Sequence, residues 1–509
     1  MKTHFPLRPI LTAIALLTVA LQAFAERSAP EPKSAPPWRY IFTYFDGDSK
    51  SGLWLMGSDD GFVWHRVENR DAADKSQRFN PKVGQWEFFR DPSFAVGPDG
   101  RYHLVWTTGS NGFGYASSDD ITRWSNDDAR FIKIDLGDLA DVPLRHTWAP
   151  EVRYDPDTQL FNILISVRAK NFAKDHPKYS EMSNYRIQEF LVQTADWETF
   201  TDPVVAFPKL DKLSTIDADA ISTDDGVMLF SKIEHRDRFG EKVKDARGGI
   251  RILRGESIKG PWDGELTEES PMLPSAPGAS EGPSALQIGP LLVVYHDWGF
   301  SASGSFDDEE WFSVAKEFQR PNNWRHGSVR QVRFDDYSES GISQEYWTGI
   351  DSTTTEIDPT AFAADGETTG FDLPALEVRD WNLPHSAKSS ANDGFQQRIR
   401  AVLTAPETGT YTFWVSGDDR AELWMDTKGT DPARSEMIAF ADGTNWRQWD
   451  AKPEQSASVE LEANQKYFIE LRHRDVEGDD HASVGWKRPG QGGDKPASLV
   501  PEWVLSKFE

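Results

Sequence analysis

The chain has 509 residues, 55 Lys and Arg against 82 Asp and Glu, a formal charge of −27, 20 Trp and no Cys. At about 100–200 residues per domain it predicts two or three domains, and the missing Cys exclude a disulfide framework, a thiol nucleophile and a Cys-ligated zinc. The acidic balance argues against a nucleic-acid partner and against a strongly anionic polymer as ligand unless local basic residues receive it.

The first 25 residues read as a secretory signal. Lys2 and Arg8 supply the positive start, residues 10–24 an apolar run, and Ala23-Phe24-Ala25 the small residues before a cut at Glu26. The run is shorter than the roughly 20 residues that span a bilayer, so a cleaved signal is favoured over an anchor. Cleavage removes two cations and leaves −29. No later span is apolar enough to cross a membrane, so the expected location is secreted or periplasmic. Residues 26–37 are Pro-rich and are expected to form an unstructured spacer.

From residue 38 to 335 a short pattern recurs, a hydroxyl residue followed by polar residues and then Trp. It reads as Ser58-Asp59-Asp60-Gly61-Phe62-Val63-Trp64 and Ser118-Asp119-Asp120-Ile121-Thr122-Arg123-Trp124, with looser copies at Thr194, Ser257 and Ser313. Their starts are spaced 60, 76, 63 and 56 residues apart. Alternating apolar segments such as Tyr102-His103-Leu104-Val105-Trp106 precede the copies and read as strands, and Gly97-Pro98-Asp99-Gly100 reads as a hairpin turn. Helical periodicity is scarce. The expected fold is all-β, a five-bladed β-propeller; a β-sandwich with fortuitous Trp spacing is the competing reading.

A propeller brings the start of each blade to one end of a central funnel. Those starts read Arg90-Asp91-Pro92-Ser93, His146-Thr147-Trp148-Ala149-Pro150-Glu151, Ile216-Asp217-Ala218-Asp219 and Glu281-Gly282-Pro283-Ser284, with Tyr44-Phe45-Asp46 in the first blade. Carboxylates gathered on a concave site suit glycosidic-bond hydrolysis, which needs an acid for the leaving oxygen and a base for water. A third carboxylate can keep the acid protonated. The bland reading is that each acid caps a turn, but a clustered set is costly unless function retains it.

These motifs resemble glycoside hydrolase family 43, five-bladed propeller enzymes acting on arabinose-, xylose- or galactose-containing glycans. Arg90-Asp91-Pro92-Ser93 resembles the blade with the Asp-Pro general base, Ile216-Asp217 the motif of the pKa modulator, and Glu281-Gly282-Pro283 that of the general acid. The resemblance implies Asp91 as base, Glu281 as acid and Asp217 as modulator. It also implies inversion, with an acid–base gap of roughly 6.5–9.5 Å that admits water. Asp46 is the rival base, because a whole strand set precedes the Asp-Pro blade here. Arg90, Trp148, Glu151 and Arg168 are the implied sugar-contacting or orienting residues. Calcium near the axis, held partly by a His, is implied as well, with His326 the first candidate and His296 the second; no organic cofactor is expected.

Residues 341–509 change character. The run Gly409-Thr410-Tyr411-Thr412-Phe413-Trp414-Val415-Ser416-Gly417-Asp418-Asp419-Arg420 and the segment Tyr467-Phe468-Ile469-Glu470-Leu471 predict a β-sandwich or barrel. Together with Val484-Gly485-Trp486-Lys487 they resemble the protective-antigen-type (PA-14) domain. In its lectin-like members paired Asp residues hold calcium, which binds sugar hydroxyls, so Asp418 and Asp419 are the implied ligands; the competing reading is that the pair only shapes a turn. The reading as a whole is a secreted inverting glycosidase with an oligo- or polysaccharide substrate and an appended β-domain. A non-catalytic glycan-binding protein on the same scaffold, or another carbohydrate-active propeller enzyme, are the alternatives.

Overall fold

A computed structural model describes residues 31–508, apart from 35, 48–49, 68–78, 110, 135–143, 170–186, 211–212, 224, 235–248, 275–279, 298–300, 322–323, 334–341, 348–353, 364–365, 369–372, 380–393 and 477–479. The signal-like segment 1–25 lies outside the described residues. Among them the regular structure is strand with short 3₁₀ turns, and no helix is long and apolar enough to cross a membrane.

Five small antiparallel sheets, four of four strands and one of three, form the propeller. Their first strands are Arg90–Val96, Leu144–Asp155, Thr215–Thr223, Ser284–Ile288 and Arg325–Gln331, and these touch one another around the axis. Period-two alternation gives each strand a side chain for each neighbouring blade. On Leu160–Ala169, Ile163, Ile165 and Val167 pack with Ala95 and Val105 of the blade before, and Leu164 packs with Ala218 and Leu229 of the blade after.

The ring closes by pairing Arg325–Gln331 with Tyr40–Phe45, with Thr43 opposite Ser328. This corrects the expected placement of Asp46. The axial strand of that blade comes from the end of the propeller, so Asp46 follows the blade's second strand, and its carboxylate accepts the Ser51 hydroxyl at 2.5 Å.

The recurring Ser-x-Asp pattern is the turn that leaves the third strand of a blade. Ser58, Ser118, Thr194 and Ser305 each end such a strand. Asp60, Asp120, Asp196 and Asp307, two residues on, accept backbone N–H groups of the turn. The last copy is therefore Ser305-Phe306-Asp307-Asp308-Glu309-Glu310-Trp311 and not the segment from Ser313 to Trp324. The Pro-rich segment is also not all spacer: Lys33 N–H donates to the Gly100 carbonyl and Ser34 bridges Asp120.

Four-residue sequences at the axis occupy equivalent places in the five blades: Arg90-Asp91-Pro92-Ser93, Trp148-Ala149-Pro150-Glu151, Ile216-Asp217-Ala218-Asp219, Glu281-Gly282-Pro283-Ser284 and Arg325-His326-Gly327-Ser328. Their fourth residues form a ring of acceptors that stitches the blades together. Ser93 takes the N–H of Val152, Asp219 that of Ala285, Ser284 that of Val329 and Ser328 that of Phe94, at 2.8–3.2 Å. Glu151 occupies the fifth place, where its carboxylate binds Arg330 at 2.5 Å.

The second domain is a β-sandwich, with a seven-stranded sheet facing a five-stranded one. Its strands run from Ser343–Trp347 to Leu505–Lys507. It is fixed to the propeller at the first Ser-x-Asp turn. Asp59 pairs with Arg488 at 2.9 Å, Asp60 accepts the N–H of Leu499 at 2.7 Å, and Trp414, Trp449 and Leu499 pack in one apolar cluster with Phe42 and Phe62.

Candidate active site

The second residue of each four-residue repeat lines the funnel floor: Asp91, Ala149, Asp217, Gly282 and His326. Asp91, Ala149 and Asp217 have φ of 48°, 46° and 58°, uncommon for residues other than glycine, and the ladder slips beside each. Such bulges re-aim a side chain at the rim of a sheet, here toward the axis. At Gly282, φ 63°, glycine is required by space too, because a Cβ would lie 2.5 Å from the His326 ring.

His326 stands between two floor acids, its Nδ1 3.5 Å from Asp91 Oδ1 and 3.6 Å from Asp217 Oδ2. Burial opposes its charge, but Asp217 and Asp91 outweigh it, so its pKa is raised. The ring is thus a shared partner of both floor acids. Asp91 Oδ2 accepts the Thr107 hydroxyl at 2.8 Å. Asp217 Oδ2 accepts the Gly282 N–H at 3.1 Å, and its own N–H donates to Ser166 Oγ at 3.0 Å. Burial raises the Asp217 pKa; His326 opposes the shift, and Glu281 and Asp91 add to it.

One residue earlier in each repeat lies the rim: Arg90, Trp148, Ile216, Glu281 and Arg325. The Glu281 side chain is 24% exposed, against 6% for Asp91 and 5% for Asp217, so it is the acid that a group entering from solvent meets first. Lys232 Nζ lies 2.7 Å from Glu281 and 2.9 Å from Glu234. Arg325 lies 3.5 Å from Glu281 and 2.6 Å from Asp297. Asp297 accepts the His326 N–H and donates its own to the Glu281 carbonyl. A floor with two acids beside one imidazole, below a more exposed third acid, can divide proton transfer between two sides of a bound molecule.

The family model described as "Probable glycosyl hydrolase domain", related to glycosyl hydrolase family 43, matches residues 36–338. The chain belongs to the glycosyl hydrolase 43-related family. A PA14 domain model matches residues 374–499. Solved structures similar to this glycosyl hydrolase relative include a family 43 arabinoxylan arabinofuranohydrolase from Bacillus subtilis in complex with cellotetraose, at 10% identity and TM-score 0.38 over 93% of this chain and 96% of that one. An α-L-arabinofuranosidase from Lactobacillus brevis matches at 15% identity and TM-score 0.35 over 49% of this chain and 76% of that one. The Epithelial Adhesin 6 A domain from Candida glabrata matches at 14% identity and TM-score 0.25 over 33% of this chain and 88% of that one. No curated protein matches the chain.

The remaining sequence-expected residues of this family member fall in different places. Trp148, half-buried, meets His146 at 5.0 Å with the rings tilted, and His146 also meets Trp86 at 4.5 Å. Glu151 lies in the acceptor ring below the floor with Arg330, Arg153 and Asp219. That network gives it an internal partner instead of a place on the funnel surface. The backbone of Arg168 pairs with Ile187 beside His146, and its side chain is outside the described residues. His296 is fully buried, and burial pushes it down to about 4.

The two sets of residues expected to hold calcium lie in different surroundings. Among the described residues no group of three or more His, Asp or Glu is arranged to hold a metal ion. His326 Nδ1 faces Asp91 at 3.5 Å and Asp217 at 3.6 Å. Asp418 and Asp419 do meet Asp475 and Asp480 at one end of the sandwich, and the Asp475 pKa is raised by burial, by Asp480 and by the other two acids. Asp419 Oδ2 accepts the Val476 N–H at 2.7 Å.

Lys232, Asp297 and Glu189 were not singled out in the sequence. Glu189 is wholly buried behind the floor, both its oxygens 3.1 Å from Ser166 Oγ, the atom that also receives the Asp217 N–H. Burial, with Asp217 adding to it, pushes Glu189 up to about 8. A carboxyl raised in the fold stabilises it below the unfolded pKa, and that contribution is lost as pH rises toward 8. Glu189→Gln should therefore flatten the fall of stability between pH 5 and 8 by up to about 1.4 kcal/mol per pH unit. Chemical denaturation across that range checks it; parallel profiles for variant and wild type would contradict the assignment.

Proposed function

We propose that this protein is an exported glycosidase that cleaves arabinose-, xylose- or galactose-containing glycans by a single inverting displacement. The observation that carries the reading is the division of three axial acids into two buried floor residues and one exposed rim residue. Asp91 takes a proton from water as the water oxygen bonds to the anomeric carbon. Glu281 gives its proton to the glycosidic oxygen as the old C–O bond breaks. A later exchange with solvent returns the proton from Asp91 to Glu281.

Asp217 supports the acid from behind. Its hydrogen bond to the Gly282 N–H fixes the segment carrying Glu281, and the Glu281 carboxylate disfavours ionisation of Asp217. Lys232 remains paired through Glu234 when the glycosidic oxygen takes its place on Glu281. No step runs through calcium.

Incubating the mature chain with an arabinoxylan, an arabinan, a xylan and an arabinogalactan, and separating the released sugars by chromatography, tests the substrate class. Release of arabinose, xylose or galactose that stops in Glu281→Gln is expected. Tight binding of these glycans with no release by the wild type would move the protein to the glycan-binding alternative.

A further inference from the structure

The rim holds one carboxylate and two guanidinium groups, and only one of those two is accounted for. Arg325 is committed to Asp297 and Glu281. Arg90 approaches the same aromatic ring as Arg325: its Cζ is 5.3 Å from the Phe45 ring centre, and that of Arg325 is 5.9 Å from it. Among the described residues the Arg90 side chain makes no hydrogen bond and no ion pair. Its Nε is shut off from solvent without an acceptor.

Folding alone does not explain this arrangement. A buried N–H left unbonded costs about 1–3 kcal/mol, and acids outnumber bases in this chain by 82 to 55. Asp91, the next residue, is directed to Thr107 and His326. The guanidinium rests near Phe45 with its two terminal nitrogens making no hydrogen bond among the described residues, and such a pair can meet a planar or trigonal anion through two hydrogen bonds.

We infer that the sugar bound on the funnel floor carries an anionic substituent, a carboxylate or a sulfate ester, received by Arg90. The inference deepens the glycosidase reading but rests on it only for turnover, not for binding. It also supplies the local basic residue that an acidic chain needs in order to accept an anionic glycan.

The test is calorimetric titration of the full chain, in an Asp91→Asn background that halts turnover, with methyl galactopyranosiduronate, methyl galactopyranoside 6-sulfate and neutral methyl galactopyranoside. At least one anionic sugar should bind about 10-fold or more tightly than the neutral one, with the preference shrinking in added salt. The uronate and sulfate arms tell the two anions apart. Arg90→Met should bring the ratio to about one, and Arg90→Lys, which keeps the charge but not the fork, to a value in between. Near-UV circular dichroism confirms that each variant keeps the wild-type fold. Equal binding of charged and neutral sugars, no binding of either anion, or a preference that survives in Arg90→Met overturns the inference. The two readings fail differently. Arg90-dependent preference without turnover by the wild type removes the hydrolase; turnover of neutral glycosides without preference removes the anion site.

Discussion

Asp91→Asn is expected to lower kcat/KM by about 10²–10⁴-fold on every glycoside the enzyme cleaves, because water must be activated whatever group leaves. Glu281→Gln should show a loss of that size only for natural glycans and alkyl glycosides. Dinitrophenyl glycosides, whose leaving group needs little protonation, should retain most of their rate. The contrast follows from position, since Asp91 is buried on the floor with one oxygen on Thr107, and Glu281 stands exposed on the rim. Steady-state kinetics on a series of aryl glycosides of graded leaving-group pKa measures it. Equal losses in both variants across the series would contradict the division of labour, and near-wild-type turnover in Asp91→Asn would remove Asp91 as base.

The second large effect lies below the floor. Arg330 is buried and donates to Glu151, to the Val152 carbonyl and to the Val329 carbonyl. Arg330→Met strands Glu151 beside Asp219 in the axial channel and should cost about 3–5 kcal/mol. Burial already raises the Glu151 pKa against the pull of Arg330, so the loss should be larger at pH 8 than at pH 5, where the stranded carboxyl can take up a proton. Arg330→Met combined with Glu151→Leu removes both charges and should recover most of the stability. Urea denaturation at the two pH values reads all three proteins. A pH-independent loss that the double variant does not recover would show that Arg330 acts through packing alone.

Local chemistry made much of this molecule legible in its sequence. Alternating strands closed by Ser-x-Asp turns report a blade because the turn's hydrogen bonds are made within a few residues. The three axial acids were legible as Asp-Pro, Ile-Asp and Glu-Gly-Pro because short motifs at the blade starts carry them. What the sequence concealed depends on contacts between distant segments. Asp46 looks like a blade start until Arg325–Gln331 inserts as the axial strand. The last turn was sought at Trp324 because Ser305 stands only 48 residues after Ser257. Glu151 and Asp217 both follow Pro- or Ala-flanked strand starts, yet one sits two places later in its repeat and so faces Arg330 instead of the funnel. Aligning the five axial repeats would have exposed that offset, and would have placed His326 level with Asp91 and Arg325 level with Glu281. Lys232, Asp297 and Glu189 carry no such signal, since each reaches the site from a second or third strand or a loop.

The central claim is a single displacement at this floor, and the configuration of the first product tests it most directly. Proton NMR of the anomeric region, recorded in the first minutes after enzyme is added to an aryl glycoside and before mutarotation, distinguishes the two outcomes. The account predicts that the free sugar appears first with the anomeric configuration opposite to that of the substrate and that Asp91→Asn abolishes its appearance. A first product of unchanged configuration would require a covalent intermediate and would contradict the roles assigned to Asp91 and Glu281.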